Sequence, residues 1–286
     1  PVKSDTNGAS QVRVLMPGNL DEARALLAAE PALVPIAGAT DVLVHWPVNL
    51  DARAKGYLDL SGLGELRSIS WTNGALVLGA LTTYWDVIRD ERVCREFPLL
   101  PLAARQVGAI QIQSRGTWAG NIANASPAAD GVPALMACDA TVVLSSHAGE
   151  ERVRLDAFYL DYKKMQKRPD QLISSIELPR QAWEYWAFEK VGARRAQAIT
   201  KVGVAIARSA AGWRVVANSV APTVRRLRAV EDALDRGVPI ATPQDLLPLV
   251  RQAISPIDDI RSTAEYREAV LCRVLYHALR GKAGVV

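Results

Sequence analysis

The 286-residue chain is 49% hydrophobic and 22% charged, and its Lys and Arg residues outnumber Asp and Glu by 34 to 30. These values exclude disordered, collagen-like and coiled-coil chains. Apolar runs such as 202–207 fall far short of the roughly 18 residues a membrane span needs. The length suits two domains, or one large one, with room for a ligand site between them.

The N-terminal stretch PVKSDTNGAS lacks the apolar core of a secretory signal, so a cytoplasmic location is expected. The first 60 residues read as strand, helix, strand. Asn19 and Glu22 form a capping-box pattern ahead of Leu20, Ala23, Leu26 and Leu27 on one helical face. A short buried strand follows at Val34 to Ile36, then the small-residue turn Ala37-Gly38-Ala39-Thr40-Asp41 and a second strand at Tyr57 to Leu60. Ile69 to Trp71 and Ala75 to Leu78 flank Asn73-Gly74, a favoured two-residue hairpin turn. Thr83 and Asp86 cap a helix running to about Arg89, and an apolar helical segment spans Leu99 to Gln106.

The stretch from Arg115 to Asp130 holds few bulky apolar residues and many small or amide ones, which predicts a functional loop whose backbone groups need partners. A helix is expected at Val132 to Ala137, a strand at Thr141 to Leu144, a basic loop at 162–170 and a strand from Leu172 that Pro179 ends. Three strands follow, at Trp183 to Lys190, Ile199 to Arg208 and Trp213 to Val220, and after them helices only. Thr242, Pro243 and Asp245 begin one helix; Ser262 and Glu265 begin another, with Tyr266, Val270, Val274 and Ala278 on a face and a stop at Gly281. The expected architecture is α+β, in segments 1–60 and 61–179, with a domain boundary near Pro179 and at 180–286 a smaller domain of a three-stranded antiparallel sheet and helices.

Cys94, Cys138 and Cys272 are too few and too irregularly spaced for a zinc site, a disulfide framework or an iron–sulfur cluster, which takes four cysteines. His45, His147 and His277 lie in no nucleophile motif and read as structural. The basic groups 163–168 and 225–228 read as solvated faces, since no groove-reading motif accompanies them. There is neither a Gly-x-Gly-x-x-Gly after a strand nor a Walker loop. Two small-residue turns, 37–41 and 117–121, offer another cradle, because Gly and Ala let backbone N–H groups approach phosphate oxygens. Thr40 and Thr117 add hydroxyls, Asn121 and Asn124 add amides, and Asp130 adds an acceptor for ribose or an adenine amine. That inventory is dinucleotide-sized, although each turn alone also reads as an ordinary tight loop.

AGATD after a buried strand, QVGAIQIQSRGTWAGNIANASPAAD, and the late DDIRSTAEYREAVLCRVLYHAL together resemble the FAD-binding medium subunit of the molybdenum hydroxylases, the family of carbon monoxide dehydrogenase and xanthine dehydrogenase. The family patterns are AGGTD and TIGGN. Gly38, Thr40, Asp41, Thr117, Gly120 and Asn121 match; Ala39 replaces a glycine, and Trp118 and Ala119 also depart. The extra methyl at Ala39 is tolerable at negative φ and costly at positive φ. The resemblance implies a PCMH-like two-part FAD-binding fold, with Ala37 to Asp41 and Thr117 to Asn121 at the FAD pyrophosphate and its neighbours and Asp130 on the adenosine side. Val107 and Ile173 match apolar wall positions, Lys190 a lysine beside the flavin and Phe188 an aromatic near it. Trp118 either stacks on the cofactor or plugs space in the protein. It further implies an electron-transfer flavoprotein without a proton-transfer catalyst, working with a molybdenum-cofactor large subunit, a small subunit carrying [2Fe-2S] clusters, and an external acceptor. The alternatives are a stand-alone FAD-dependent oxidase or reductase, though neither turn holds a His or Cys to attach a flavin covalently, and a flavin-free interaction subunit that has lost its cofactor, to which Ala39 and Ala119 point.

Overall fold

The computed structural model describes residues 13–45 and 56–282, apart from the side chain of His45. The N-terminal stretch that bears on a secretory signal lies outside them. The first unit comprises β1 (Val14–Leu15), α1 (Leu20–Ala29), β2 (Val34–Ile36) and β3 (Tyr57–Asp59), in a parallel sheet of order β1-β3-β2. Asn19 caps α1 by accepting from the Glu22 amide at 2.8 Å, while Glu22 reaches back to the Gly18 amide. Ala23 and Leu27 bury its inner face.

The second unit runs through β4 (Ile69–Trp71), β5 (Ala75–Gly79), α2 (Tyr84–Arg89), α3 (Glu91–Glu96), α4 (Leu99–Ala104), α5 (Ile110–Gln113), α6 (Trp118–Asn124) and α7 (Gly131–Ala137). It closes with β6 (Thr141–Ser146), β7 (Gly149–Arg154), α8 (Leu155–Phe158), β8 (Tyr159–Asp161), β9 (Lys164–Met165) and β10 (Leu172–Pro179). Its antiparallel sheet has the order β4-β5-β10-β6-β7. The expected capping box on α2 is present, with Thr83 and Asp86 exchanging both bonds.

The last unit is the antiparallel sheet β11 (Tyr185–Gly192), β12 (Thr200–Ser209), β13 (Gly212–Asn218) and β14 (Arg225–Arg226), followed by α9 (Arg228–Asp235), a 3-10 turn at Pro243–Leu246, α10 (Leu247–Val250) and α11 (Ala264–Leu279). Strand β12 is buried on both faces. Val202, Val204 and Ile206 pack against the helical layer with Leu271, Leu275 and Leu279. Ala205 and Ala207 join the core of the second unit. Alanines on that face leave room for α7 to approach the sheet, which places the start of α7 beside β11 and β12.

Five expectations need correction. The 115–130 stretch is half helix: Thr117 caps α6 by accepting from Gly120 N at 2.9 Å, Trp118 and Ile122 supply a buried i,i+4 face, and Ala125 ends the helix at φ 50°. The basic loop folds Lys164–Met165 back onto β8 as a small hairpin. The three strands of the C-terminal sheet gain a fourth, β14, so helices are not all that follows. Arg226 within it is no solvated residue; it pairs with Glu231, Asp139 and Asp156 while only 9% exposed. Helix α11 is capped by Thr263 rather than Ser262, and its buried stripe is Arg267, Leu271, Leu275 and Leu279, one position on from the expected face.

Candidate cofactor site

The turn after β2 and the segment before α6 meet because position 38 has no side chain. A Cβ there would stand 1.8 Å from the carbonyl oxygen of Arg115, so only glycine lets the two backbones pass. Ala39 follows at φ 55°, the left-handed region that favours glycine. The second turn is tied to the β5–α2 corner: Tyr84 N donates to Gly116 O at 3.2 Å, and Trp118 N donates to Thr82 O at 3.2 Å. Across the gap Asn124 Nδ2 donates to Asp41 Oδ1 at 3.0 Å, and Lys163 Nζ grips the Asn124 carbonyl and side-chain oxygens. Asn121 Oδ1 accepts from Gly131 N at 3.0 Å, which joins α6 to α7.

Between these turns lies a cavity of about 420 Å³. Ala37 to Asp41, Val107, Thr117, Gly120 and Asn121 all line it. A second cavity of about 330 Å³ shares Val34 to Ala37, Gly120 and Ala123 with the first and adds Ala119, Leu172 and Ile173. Four candidates line neither cavity. Trp118 is fully buried with its ring centroid 4.9 Å from that of Tyr84, and its Nε1 has no hydrogen-bond partner. Asp130 and Lys190 face each other at 2.6 Å, and Asp130 also accepts from the Thr200 hydroxyl. Phe188 is buried in the main core. His147 and His277 are exposed and line neither cavity.

Sequence reasoning missed Tyr84, Ile112, Gly116 and Ala123 in the first cavity. Gly116 and Ala123 sat inside the small-residue stretch and were open to the same argument. Tyr84 carried no signal of its own, since it follows a cap as any first helical residue does. Burial, then the charge of Asp130, pushes its phenol far above the usual value, so it remains a neutral hydroxyl. Lys167, at the second cavity, has its ammonium pKa lowered by burial, and Nζ donates to Gln171 O at 2.8 Å. The lining fits a phosphate-bearing group. Bare backbone and small side chains form the floor, the hydroxyls of Thr40, Thr117 and Tyr84 are potential donors, and an apolar chamber adjoins for an aromatic ring.

Two backbone-lined turns that meet on one cavity, beside a small parallel sheet, suit a protein that holds a phosphate-bearing cofactor. Residues 10–181 match the family described as the FAD binding domain in molybdopterin dehydrogenase, and residues 186–281 match the CO dehydrogenase flavoprotein C-terminal domain. The chain belongs to this family of FAD-binding oxidoreductase subunits. It is 27% identical to the glyceraldehyde dehydrogenase medium chain of Sulfolobus acidocaldarius, over 88% of this chain and 92% of the relative. It is 29% identical to the xanthine dehydrogenase FAD-binding subunit of Escherichia coli O157:H7, over 87% and 88%. A solved structure of carbon monoxide dehydrogenase from Hydrogenophaga pseudoflava, lacking the Mo-pyranopterin moiety of its cofactor, superimposes with a TM-score of 0.86 at 27% identity, covering 94% of this chain and 96% of that one.

Proposed function

We propose that the chain is the electron-transfer subunit of a multi-subunit molybdenum hydroxylase, taking electrons from [2Fe-2S] clusters of a small partner and delivering them to an external acceptor. A large partner with the molybdenum cofactor oxidises the substrate. The observation that carries this reading is the convergence of 37–41 and 116–121 on one cavity, in a chain of an FAD-binding family. The backbone and hydroxyls of those turns, with Asn121, hold the pyrophosphate; the chamber lined by Ala119, Leu172 and Ile173 takes an aromatic ring. When bound, FAD supplies the redox chemistry, and the protein's share is to bind, orient and shield it. Within the described residues no helix is long and apolar enough to cross a membrane, and a cytoplasmic setting is part of the same proposal. The relatives' names span glyceraldehyde, xanthine and carbon monoxide dehydrogenases, which agrees with substrate choice residing on another chain.

The purified chain should release a flavin containing AMP on acid precipitation. Chemically reduced protein should reoxidise with an artificial acceptor, whereas xanthine, aldehyde or carbon monoxide alone should leave its absorbance unchanged. Bleaching by one of these without partners would sink the proposal in favour of a self-sufficient oxidase.

A further inference from the structure

Lys190 stands on β11 of the C-terminal sheet, yet its side chain is 7% exposed and ends between Gln106 and Asp130, outside the lining of the candidate FAD cavity. Its Nζ donates to Gln106 O at 2.9 Å and to Asp130 Oδ2 at 2.6 Å. Each contact leads to a cavity residue. Gln106 immediately precedes Val107, whose carbonyl is held by Gln113 Nε2 at 3.1 Å, so this branch secures the turn leading into α5 and its cavity residue Ile112. Asp130 precedes Gly131, whose amide donates to Asn121 Oδ1 at 3.0 Å. That bond fixes which end of the Asn121 amide is spent on the protein and leaves Nδ2 as the donor available to a ligand.

Neighbouring bonds hold the same turn. Thr200 donates to the other oxygen of Asp130, Asn218 Nδ2 donates to Ala129 O at 2.8 Å, and Ser219 N donates to Pro127 O at 2.7 Å. All three donors come from the C-terminal unit. With Lys190 they make four, and of the four Lys190 also reaches the opposite wall, at Gln106.

We infer that Lys190 is a positioning residue: a buried latch through which the C-terminal sheet sets the spacing between the Val107 wall and the Asn121 wall of the FAD cavity. This rests on the proposed assignment of that cavity to FAD, and it differs from a lysine that touches the flavin. A buried ammonium with carboxylate and carbonyl partners is costly to break from either side, which suits a fixed spacer.

The test uses the full chain with Lys190→Met, Asp130→Asn and the double variant, first without FAD. Amide hydrogen exchange should quicken at 105–109 and at 117–131 in Lys190→Met. In Asp130→Asn it should quicken at 117–131 alone. FAD binding should weaken at least about tenfold in Lys190→Met, the lower end for a lost charged hydrogen bond, and the double variant should lose no more. At saturating FAD the visible circular dichroism of the flavin should change in Lys190→Met, which a mere loss of fold stability would not produce. Weakened binding with unaltered exchange at both walls would overturn the latch and make Lys190 a direct ligand. If Lys190→Met fails to fold, the one-sided exchange pattern of Asp130→Asn still decides: no acceleration at 117–131 overturns the proposal. A parent chain that binds no FAD would defeat the functional reading, while the exchange pattern would report on the latch separately.

Discussion

At Ala39 the methyl group that the sequence substitutes for a family glycine meets the unfavourable backbone conformation, φ 55°. Left-handed backbone costs an L-residue roughly 1–2 kcal/mol. Glycine would give back about 0.4–1 kcal/mol through a freer unfolded chain. The difference favours Ala39→Gly by about 0.5–1 kcal/mol, so its melting temperature should rise by about 2 °C. A fall on thermal denaturation would mean that the turn does not need φ above zero. Trp118 presents the converse case, a large side chain without a cavity to face. Core truncations of this size cost a few kcal/mol, so Trp118→Ile should lower stability by about 2–3 kcal/mol in urea denaturation. Flavin fluorescence and FAD affinity should stay near the parent's. A rise in fluorescence with unchanged stability would put the indole on the cofactor instead. Because Nε1 has no partner to lose, Trp118→Phe should cost less than its volume suggests.

Among the elements, α6 was hidden from sequence reasoning by its composition. Gly120, Asn121 and Asn124 are poor helix formers, Ala119 and Ala123 favour a helix but carry little apolar patterning, and the periodic signal reduces to Trp118 and Ile122. The threonine cap and tertiary burial of those two residues decide the matter. The meeting of the two turns depends on a single missing side chain. Gly38→Ala would drive a methyl to 1.8 Å from Arg115 O, a backbone atom that cannot rotate away. The turns must separate, and FAD affinity should fall by more than about tenfold with the loss of shared donors. Gly116→Ala, whose nearest backbone contact is 3.0 Å, should be milder in the same titration. Equal affinity in parent and Gly38→Ala would remove the 37–41 turn from the site. In α11 the expected face was off by one position because Arg267 reads as a surface residue. It is buried, donating to Lys201 O and Ser219 O at 2.8 Å each and to Asp259.

On the scale of the molecule, the C-terminal sheet is joined to α7 at both ends. Lys190 and Thr200 hold Asp130 before the helix, and Arg214 and Arg226 hold Asp139 after it at 3.0 and 3.3 Å. Arg226 continues to Asp156 at 3.6 Å. Burial works against the Asp156 carboxylate, but the hydrogen bond from Arg154 and the charges of Arg154, Arg228 and Arg226 hold its pKa below the ordinary value. A depressed folded-state pKa contributes stability that is fully present above the unfolded value, about 3.9, and is lost as pH falls through the folded one. Stability should therefore decline below about pH 4, and Asp156→Asn should flatten that decline while lowering the neutral-pH plateau. Melting curves at successive pH values measure both, and an unchanged acid slope in the variant would exclude Asp156 as a contributor.

Much of the strand and helix order, the hairpin at Asn73-Gly74, the caps at Asn19 and Thr83 and the small-residue character of 37–41 and 117–121 were legible locally, because periodicity, capping and steric permissiveness act over a few residues, whereas α6, β7, α8, the β8–β9 hairpin and β14 were not. The family motifs carried the FAD-binding class with them. Where side chains went was decided by tertiary structure. Asp130 and Lys190, 60 positions apart, meet each other at 2.6 Å, and Trp118 turns into the core beside Tyr84. Arg226 disappears into an acidic cluster drawn from α8, α9 and the turn after α7. The charge and size of a residue are local properties, but its partner is fixed by long-range packing, in this chain by the two-faced burial of β12 that brings the sheet against α7.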